Sequence, residues 1–367
     1  MAQNSSSIPT VDVDKRQPPT KLIGTFTAWN SKEKVFELEP SKRWAHLPSY
    51  KAPQTPLFRI TPTALIPYAE LMRLHKPAGY YAFFFPHLTG TLLAASCGPV
   101  TPTPQALARI ILSHAIAVLF LRGAACSYND ALDGPFDRLV ERCRHRPVAR
   151  GAVSPFTAHL FAAAQAVIWV AILPTFPRQT TNAFIWLSCT MLLYPWCKRF
   201  TNYPQVVLGL SLALGQGIGT GAVCWDVFAE QYGWKLIGVV ALYLSAVLNA
   251  VVYDTVYAYQ DLNDDLKAGI MSMAIACMGR TKQWLGLLSF FEVVLLATAG
   301  YAMGFQGAYW LMTVGGTAAV LARMLSTWEI EDPADCFYWF CHLIWYTGST
   351  ICGGLAGEYI QKLLTAV

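Results

Sequence analysis

From residue 78 onward, long apolar runs alternate with short polar connections, and each run is long enough to cross a bilayer as a helix. The runs fall at 78–97, 105–126, 155–175, 180–197, 204–225, 235–256, 284–304, 306–325 and 336–356. This pattern predicts an all-α polytopic membrane protein with nine transmembrane helices. Several runs contain Gly or Pro, which membrane helices tolerate because neighbouring helices and side chains satisfy the freed backbone groups. Gly215, Gly217, Gly219 and Gly221 in the fifth run mark a surface for close helix packing rather than a ligand site. Ahead of the spans, Ile66 to Lys76 reads as a short amphipathic helix at the interface, stopped by Pro77. Residues 1–63 are polar and punctuated by Pro18, Pro19, Pro53, Pro56 and Pro62, the composition of a disordered, water-exposed tail. The expected division is therefore a tail at 1–63 and a transmembrane domain at 64–367. The tail lacks the apolar core of a signal peptide. Asp12 and Asp14, with few arginines nearby, make it a poor match to a mitochondrial transit peptide.

Composition agrees with the pattern. Charged residues are 13% of the 367, against ~25% in soluble domains, while 54% are hydrophobic, so the chain could not cover a soluble surface. Lysine and arginine gather in alternate connections: Arg138 to Arg150, then Lys198 and Arg199, then Lys267, Arg280 and Lys282, then Arg323. The positive-inside rule places these connections and the tail in the cytoplasm. A net charge of +5 distributed in this way reflects membrane topology and anionic ligands, not nucleic acid, and nothing in the chain marks an obligate protein partner. The ten cysteines lie singly, many inside apolar runs, and read as small buried hydrophobes rather than disulfides or metal ligands.

Two acidic clusters carry the candidate chemistry. Carboxylates in a membrane segment cost roughly 2.5–3.5 kcal/mol each at mid-bilayer, so they face a bundle interior or a wet cavity. The first cluster runs from Asn129 to Gly151, with acids leading (Asp130, Asp133, Asp137) and bases following (Arg138, Arg142, Arg144, Arg146, Arg150). Asn129, Asp133 and Asp137 are four apart and share a helical face. The Gly134-Pro135 pair predicts a break near Gly134, with Asp137 on the turn beyond. In the second cluster, Asp254 to Gly269, a continuous helix would align Asp254, Tyr257, Asp261 and Asp265, with Asp264 beside Asp261.

Two acidic faces at one membrane boundary suit a shared Mg²⁺ site, because Mg²⁺ takes one or two carboxylates plus substrate phosphate oxygens. Nearby arginines and Lys198 would meet the remaining phosphate charge. The implied substrate has an anionic head and a lipid tail, which an isoprenyl diphosphate satisfies. Loss of diphosphate leaves an allylic cation that must be kept from water. Tyr80, Tyr81, Phe83, Phe84 and Phe85 are placed to face such a cation, although an aromatic run in a membrane helix serves packing first. Other readings of the acids are solvated interfacial loops or an acid-lined transporter. The transporter would require mid-span acids and an inverted repeat, neither evident here. A phosphatidyl alcohol transferase would need D-G-x-x-A-R, but Asp133-Gly134 lacks the following alanine and arginine. His114, His145 and His342 are assigned no function.

The motif N-D-x-x-D-x-x-x-D followed by R-x-x-x-R-P (Asn129 to Gly151) resembles the first motif of the UbiA superfamily of intramembrane aromatic prenyltransferases. D-x-x-Y-A-x-x-D-x-x-x-D-x-K-x-G (Asp254 to Gly269) is similar to its second. The likeness extends to R-L-x-K-P at Arg73 to Pro77. It also includes Y-P-x-x-K-R-x-T-x-x-P-Q-x-V-L-G from Tyr194 to Gly209, which resembles the 4-hydroxybenzoate polyprenyltransferase branch. The resemblance implies nine helices around a central cavity, with Mg²⁺ bridging the two motifs and a prenyl diphosphate. It assigns Asn129, Asp130, Asp133, Asp137, Asp261 and Asp265 to metal, with Asp133, Asp137, Asp261 and Asp265 as the catalytic carboxylates. Arg73, Asn129, Arg142, Arg146, Lys198 and Tyr257 are assigned to diphosphate. Several positions depart from that branch. His75 stands where aspartate is frequent, Leu262 where an arginine commonly follows, and Met271 where lysine is frequent. These changes and the long tail look like the fungal meroterpenoid branch. The activity this implies is transfer of a farnesyl-type group to a phenolic polyketide acid in the endoplasmic reticulum. The alternative is a mitochondrial 4-hydroxybenzoate polyprenyltransferase.

Overall fold

The structure, a computed structural model, describes residues 46–172, 176–225 and 233–365. Most of the expected tail, including Asp12 and Asp14, lies outside the described residues. One compact unit spans Tyr50–Val367 and so begins before residue 64. Among the described residues every regular element is helical.

Short helices at Pro56–Ile60 and Ile66–Leu71 precede the main elements. These are α1 (Ala78–Cys97), α2 (Pro104–Asp137), α3 (Pro155–Ile172), α4 (Thr181–Cys197), α5 (Pro204–Ala222), α6 (Trp234–Ala258) and α7 (Thr281–Met303). A π-helical segment, Tyr309–Gly316, leads into α8 (Thr317–Thr327), and α9 (Pro333–Thr365) ends the bundle. Consecutive helices from α4 through α9 pack on one another, as do α2 and α3, while α9 closes back onto α1 and α1 lies against α5. By length and composition, four segments can cross a membrane: Pro104–Asp137, Pro155–Ile172, Trp234–Ala268 and Thr281–Met303. The nine predicted crossings are not all met by that measure. The α4 helix has 17 residues, and α1 and α5 dilute their hydropathy with Tyr, His, Thr, Gln and Gly.

The distribution of side chains is that of a membrane bundle. Large apolar residues such as Phe156, Val167, Trp186, Phe290 and Leu311 are exposed on the outside. Polar Ser127, Gln165, Gln205, Ser211, Gln216 and Glu292 are buried within. Apolar surface gains little by leaving lipid, so close backbone approach and internal hydrogen bonds hold such helices together. The contact of α1 with α5 shows this directly. A Cβ on Gly90 would fall 2.0 Å from the Gln216 carbonyl oxygen, and one on Gly219 would fall 2.2 Å from that of His87. All ten cysteines are free thiols.

Three local expectations are corrected. The helix carrying the first motif does not break at Gly134 but continues through Pro135 to Asp137. Proline removes only one ladder bond there, and Arg138 N–H closes the turn on the Gly134 carbonyl at 3.3 Å. The interfacial helix ends at Leu71 rather than Lys76, because Arg73 adopts a left-handed conformation with φ +56°. The second motif is not one continuous helix: α6 stops at Ala258, a 3₁₀ turn spans Tyr259–Asp261, and a short helix covers Leu262–Ala268.

The α1–α5 contact generates a test. The opposing atoms at Gly219 are backbone, so no side chain can give way. Gly219→Leu should destabilise the bundle by about 1–3 kcal/mol or more, as core overpacking does. A melting temperature in detergent equal to that of the wild type would contradict the stated approach.

Candidate active site

Three polar connections meet at one end of the bundle: residues 138–154 after α2, 198–203 after α4 and 259–280 after α6. The helical spacing of the first motif places Asp130, Asp133 and Asp137 at the last turns of α2, where all three are buried. Each meets a base. Lys198 Nζ lies 3.0 Å from Asp133 Oδ2. Arg146 Nη1 lies 2.8 and 3.0 Å from the two Asp137 oxygens and 3.4 Å from Asp130 Oδ1. Arg73 Nη2 reaches the same Asp130 oxygen at 2.6 Å. Asp130 is 0% exposed, and its Oδ2 has no partner. The side-chain oxygen of Asn129 is also buried without a partner.

The second motif joins through the loop after α2. Arg142 holds Asp261 through Nε (2.9 and 3.1 Å) and through a further bond from Nη2 to Oδ2. Its Nη1 donates to Tyr257 Oη at 2.5 Å, and its guanidinium sits 4.6 Å from the centre of that ring. Glu141 N–H caps Asp264 Oδ2 at 2.9 Å, and Met271 N–H bonds the Lys198 carbonyl at 3.2 Å. The loops are thus fastened to one another by the residues that carry the charge. Among the described residues the Asp265 carboxylate makes no hydrogen bond or ion pair, but it has Asp261, Lys198 and Arg142 as electrostatic neighbours. All eleven residues assigned from sequence therefore fall in this region, and Arg142 joins the two motifs.

Several participants were not foreseen. Arg122, buried in α2, donates to the carbonyls of Arg73 (3.2 Å) and Lys76 (2.5 Å), which fixes the turn that aims Arg73. The left-handed backbone of Arg73 is strain of the kind found where function over-determines a position. Glu70, from the interfacial helix, accepts from Arg150 Nη2 at 2.5 Å and from Tyr50 Oη at 2.8 Å. The Arg150 guanidinium also lies 4.0 Å above the Tyr50 ring. This cluster ties the arginine-bearing loop to the start of the compact unit. Lys76 faces Arg142, Arg73 and Arg146. Desolvation first, then these guanidiniums, pull its ammonium down to about 8. Desolvation, then Lys76, Arg73 and Arg122, push His75 down to about 4, leaving a neutral ring edge-on to Phe58. The R-L-x-K-P signature already contained Lys76. Glu70 and Arg122 had only the weaker signal of a charge within an apolar stretch.

The donor set suits a hard cation: carboxylate and amide oxygens at the α2 end, with Asp265 opposite. Among the described residues no three His, Cys, Asp or Glu side chains form a ready metal cage. Mg²⁺ does not require one, since it binds through one or two carboxylates and completes its shell with phosphate and water. Below this end, a cavity of about 40 Å³ lies inside the bundle, with Tyr81, Phe85, Asn249, Tyr253 and Thr347 among its walls.

Comparison with known proteins agrees with this architecture. The pattern of the UbiA prenyltransferase family matches residues 83–347. The prenyltransferase ascA of Acremonium egyptiacum is 33% identical over 291 residues, covering 77% of this chain and 83% of the relative. The mitochondrial 4-hydroxybenzoate polyprenyltransferase of Saccharomyces cerevisiae is 35% identical over 310 residues, covering 82% and 78%. Among solved structures, a UbiA homolog from Archaeoglobus fulgidus bound to DMAPP and Mg²⁺ superposes with a TM-score of 0.56. Identity there is 19%, covering 77% of this chain and 98% of that one, so the likeness is one of fold.

The Glu70–Arg150 pair is largely enclosed, so removing one partner strands the other. Arg150→Ala should lower stability by about 3 kcal/mol and open the 138–151 loop to trypsin. Replacing both by apolar residues (Glu70→Leu with Arg150→Met) should recover most of that loss. Unfolding and limited proteolysis of the full chain in detergent would measure both effects.

Proposed function

Because the chain belongs to the UbiA prenyltransferase family, we propose that it transfers a farnesyl-type group from prenyl diphosphate to a ring carbon of a phenolic polyketide acid, as in meroterpenoid biosynthesis. The observation that carries the proposal is the bridge from Arg142 to Asp261 and Tyr257. It brings Asp261 and Tyr257 of the second motif against the base-rich loop that follows the acids of the first. Asn129, Asp133 and Asp137 on one side and Asp261 and Asp265 on the other would hold Mg²⁺. The bound metal supplies charge neutralisation for the departing diphosphate. Asp130 serves a different part: wholly buried beneath Arg73 and Arg146, it aims those guanidiniums.

Arg73, Arg142, Arg146, Lys198 and Lys76 would take the diphosphate oxygens, since guanidinium binds phosphate in bidentate fashion. Tyr257, already donated to by Arg142, orients the same head group. The bond from the allylic carbon to oxygen breaks with its electrons leaving on diphosphate. The aromatic ring carbon then bonds to the allylic carbon and passes its proton to the released diphosphate. Tyr81 and Phe85 line the chamber where that cation develops and keep water from it. The yeast relative favours a second reading, transfer of a long polyprenyl chain to 4-hydroxybenzoate in the mitochondrion. The first reading places the enzyme in the endoplasmic reticulum.

Membranes containing the chain should join farnesyl diphosphate to a phenolic polyketide acid in the presence of Mg²⁺. Asp133→Ala and Asp261→Ala should each reduce transfer roughly 100-fold or more. Wild-type turnover in either variant would refute the metal assignment, and a preference for long polyprenyl diphosphates with 4-hydroxybenzoate would select the second reading.

Lys76 predicts a pH dependence. Its folded value near 8 lies below that of a free lysine, and a bound diphosphate raises it again, so binding takes up a proton above that pH. Prenyl diphosphate affinity should therefore be level below about pH 8 and fall above it, by at most about tenfold per pH unit. Lys76→Met should bind more weakly and lose the decline, as measured by KM for the diphosphate across that range.

A further inference from the structure

The acids and bases of the two motifs leave one costly group unexplained. Glu292 lies midway along α7, 0% exposed, with its Oε2 unpartnered. A carboxyl at this depth is expensive, and no base is bonded to it among the described residues. Among the described residues its partner is the Asn249 carboxamide, whose Nδ2 donates to Glu292 Oε1 at 2.8 Å. On the other side, Thr347 Oγ1 lies 3.2 Å from Asn249 Oδ1 and 2.6 Å from the Leu343 carbonyl, so it can donate to either. Asn249 and Thr347 line the interior cavity, whereas Glu292 stands behind them.

A carboxamide offers two N–H donors and an acceptor oxygen with two lone pairs. Glu292 takes one donor and Thr347 engages at most one lone pair. One N–H and at least one lone pair of Asn249 are left over on a cavity-lining residue. Two other polar wall groups turn to the backbone: Ser245 Oγ donates to the Leu242 carbonyl at 2.7 Å, and Gln216 Nε2 to the same carbonyl at 3.3 Å. Asn249 is the wall amide whose orientation is set by two side chains from other helices. Along α6, Asn249, Tyr253 and Tyr257 follow one another at helical i, i+4 spacing and share a face. Asn249 therefore lies eight residues, roughly 12 Å, below the tyrosine that Arg142 holds. An attack distance of about 3 Å, a benzene ring and one hydrogen bond together span on the order of 10 Å.

We propose that Asn249 binds an oxygen substituent, hydroxyl or carboxyl, on the side of the aromatic acceptor away from the carbon that is prenylated, and that Glu292 and Thr347 are its positioning residues. This rests on the prenyltransferase reading and assigns that site its acceptor chemistry. An apolar prenyl tail at the same place would leave the fixed amide unpaired, which disfavours it. Recognition by a buried donor also discriminates against analogues that lack the oxygen, here by roughly 10- to 100-fold.

The test compares two acceptors with the full chain in lipid nanodiscs: a dihydroxybenzoic acid and its analogue with the far oxygen replaced by methyl. Wild type should prefer the first by the stated factor. Asn249→Leu should abolish that preference and raise the acceptor KM while leaving the prenyl diphosphate KM unchanged. Glu292→Leu should act in the same way, although it does not face the cavity, and Glu292→Gln, which keeps an oxygen for the Asn249 N–H, should restore the preference. Stabilisation of the wild-type chain by acceptor alone, read as a melting shift without prenyl diphosphate, should vanish in Asn249→Leu. Transfer with the preference intact in Asn249→Leu would overturn this assignment alone. So would an equal rise in both KM values, or a Glu292→Gln variant as impaired as Glu292→Leu. No transfer by wild type with any prenyl diphosphate would overturn the prenyltransferase reading, and absence of the acceptor melting shift would then overturn the Asn249 assignment as well.

Discussion

Where the three polar connections meet, everything depends on the mutual neutralisation of largely buried carboxylates and bases. Asp133 with Lys198, Asp137 with Arg146 and Asp261 with Arg142 are ion pairs whose partners come from different connections or from opposite ends of one loop. Removing one member of such an enclosed pair leaves an uncompensated charge, which is far more costly than losing an exposed pair. The pairs therefore do more than decorate three helix ends. They determine how those ends meet, and they do so with the residues that would act on substrate. Stability of this end and readiness for a charged ligand are two aspects of one arrangement.

The same constraint organises the layers around it. Arg73 can reach Asp130 only because its backbone takes a left-handed turn, and Arg122 holds that turn by its carbonyls. Arg150 does not join the acids of α2. It is drawn aside by Glu70 and Tyr50, which anchors the far end of the loop while leaving Arg142 and Arg146 inside. Five guanidiniums within thirteen residues would otherwise repel one another in one chamber. Their separation into site and anchor is what makes the density of charge tolerable.

Much of this was legible in the order of residues, for reasons that differ from one feature to the next. The i, i+4 repeat of Asn129, Asp133 and Asp137 fixes a shared face once a helix forms, and the helix does form. Proline at 135 misled because the rule that it ends helices belongs to water-exposed interiors, where the lost bond has no compensation. The second motif misled in the opposite sense. Its spacing fits a helix, yet the chain tightens into a 3₁₀ turn at Tyr259–Asp261 while Asp261 is held by Arg142. That partner is 119 positions away, beyond the reach of any local pattern. Nor could spacing tell which acid meets which base. Asp130 matches the motif as well as Asp133 does, and only packing shows that it lies wholly beneath two arginines.

On the prenyltransferase reading, the pairing scheme also explains why head group and cation should enter together. A diphosphate that drew Arg146 and Lys198 to itself would strip Asp137 and Asp133 of their partners, in surroundings where lone carboxylates are costly. Carboxylates given over to a cation would in turn release guanidiniums crowded against one another and against Lys76, an ammonium already weakened by desolvation and then by these guanidiniums. Either change alone leaves like charges facing across a low-dielectric gap. Made together they are an exchange of partners, in which each carboxylate and each base remains neutralised. The acid-rich face and the base-rich loop are therefore more than two separate binding surfaces. They are halves of one charge balance, and Asp265, whose carboxylate makes no hydrogen bond or ion pair among the described residues, offers an acid that can be recruited without breaking a pair.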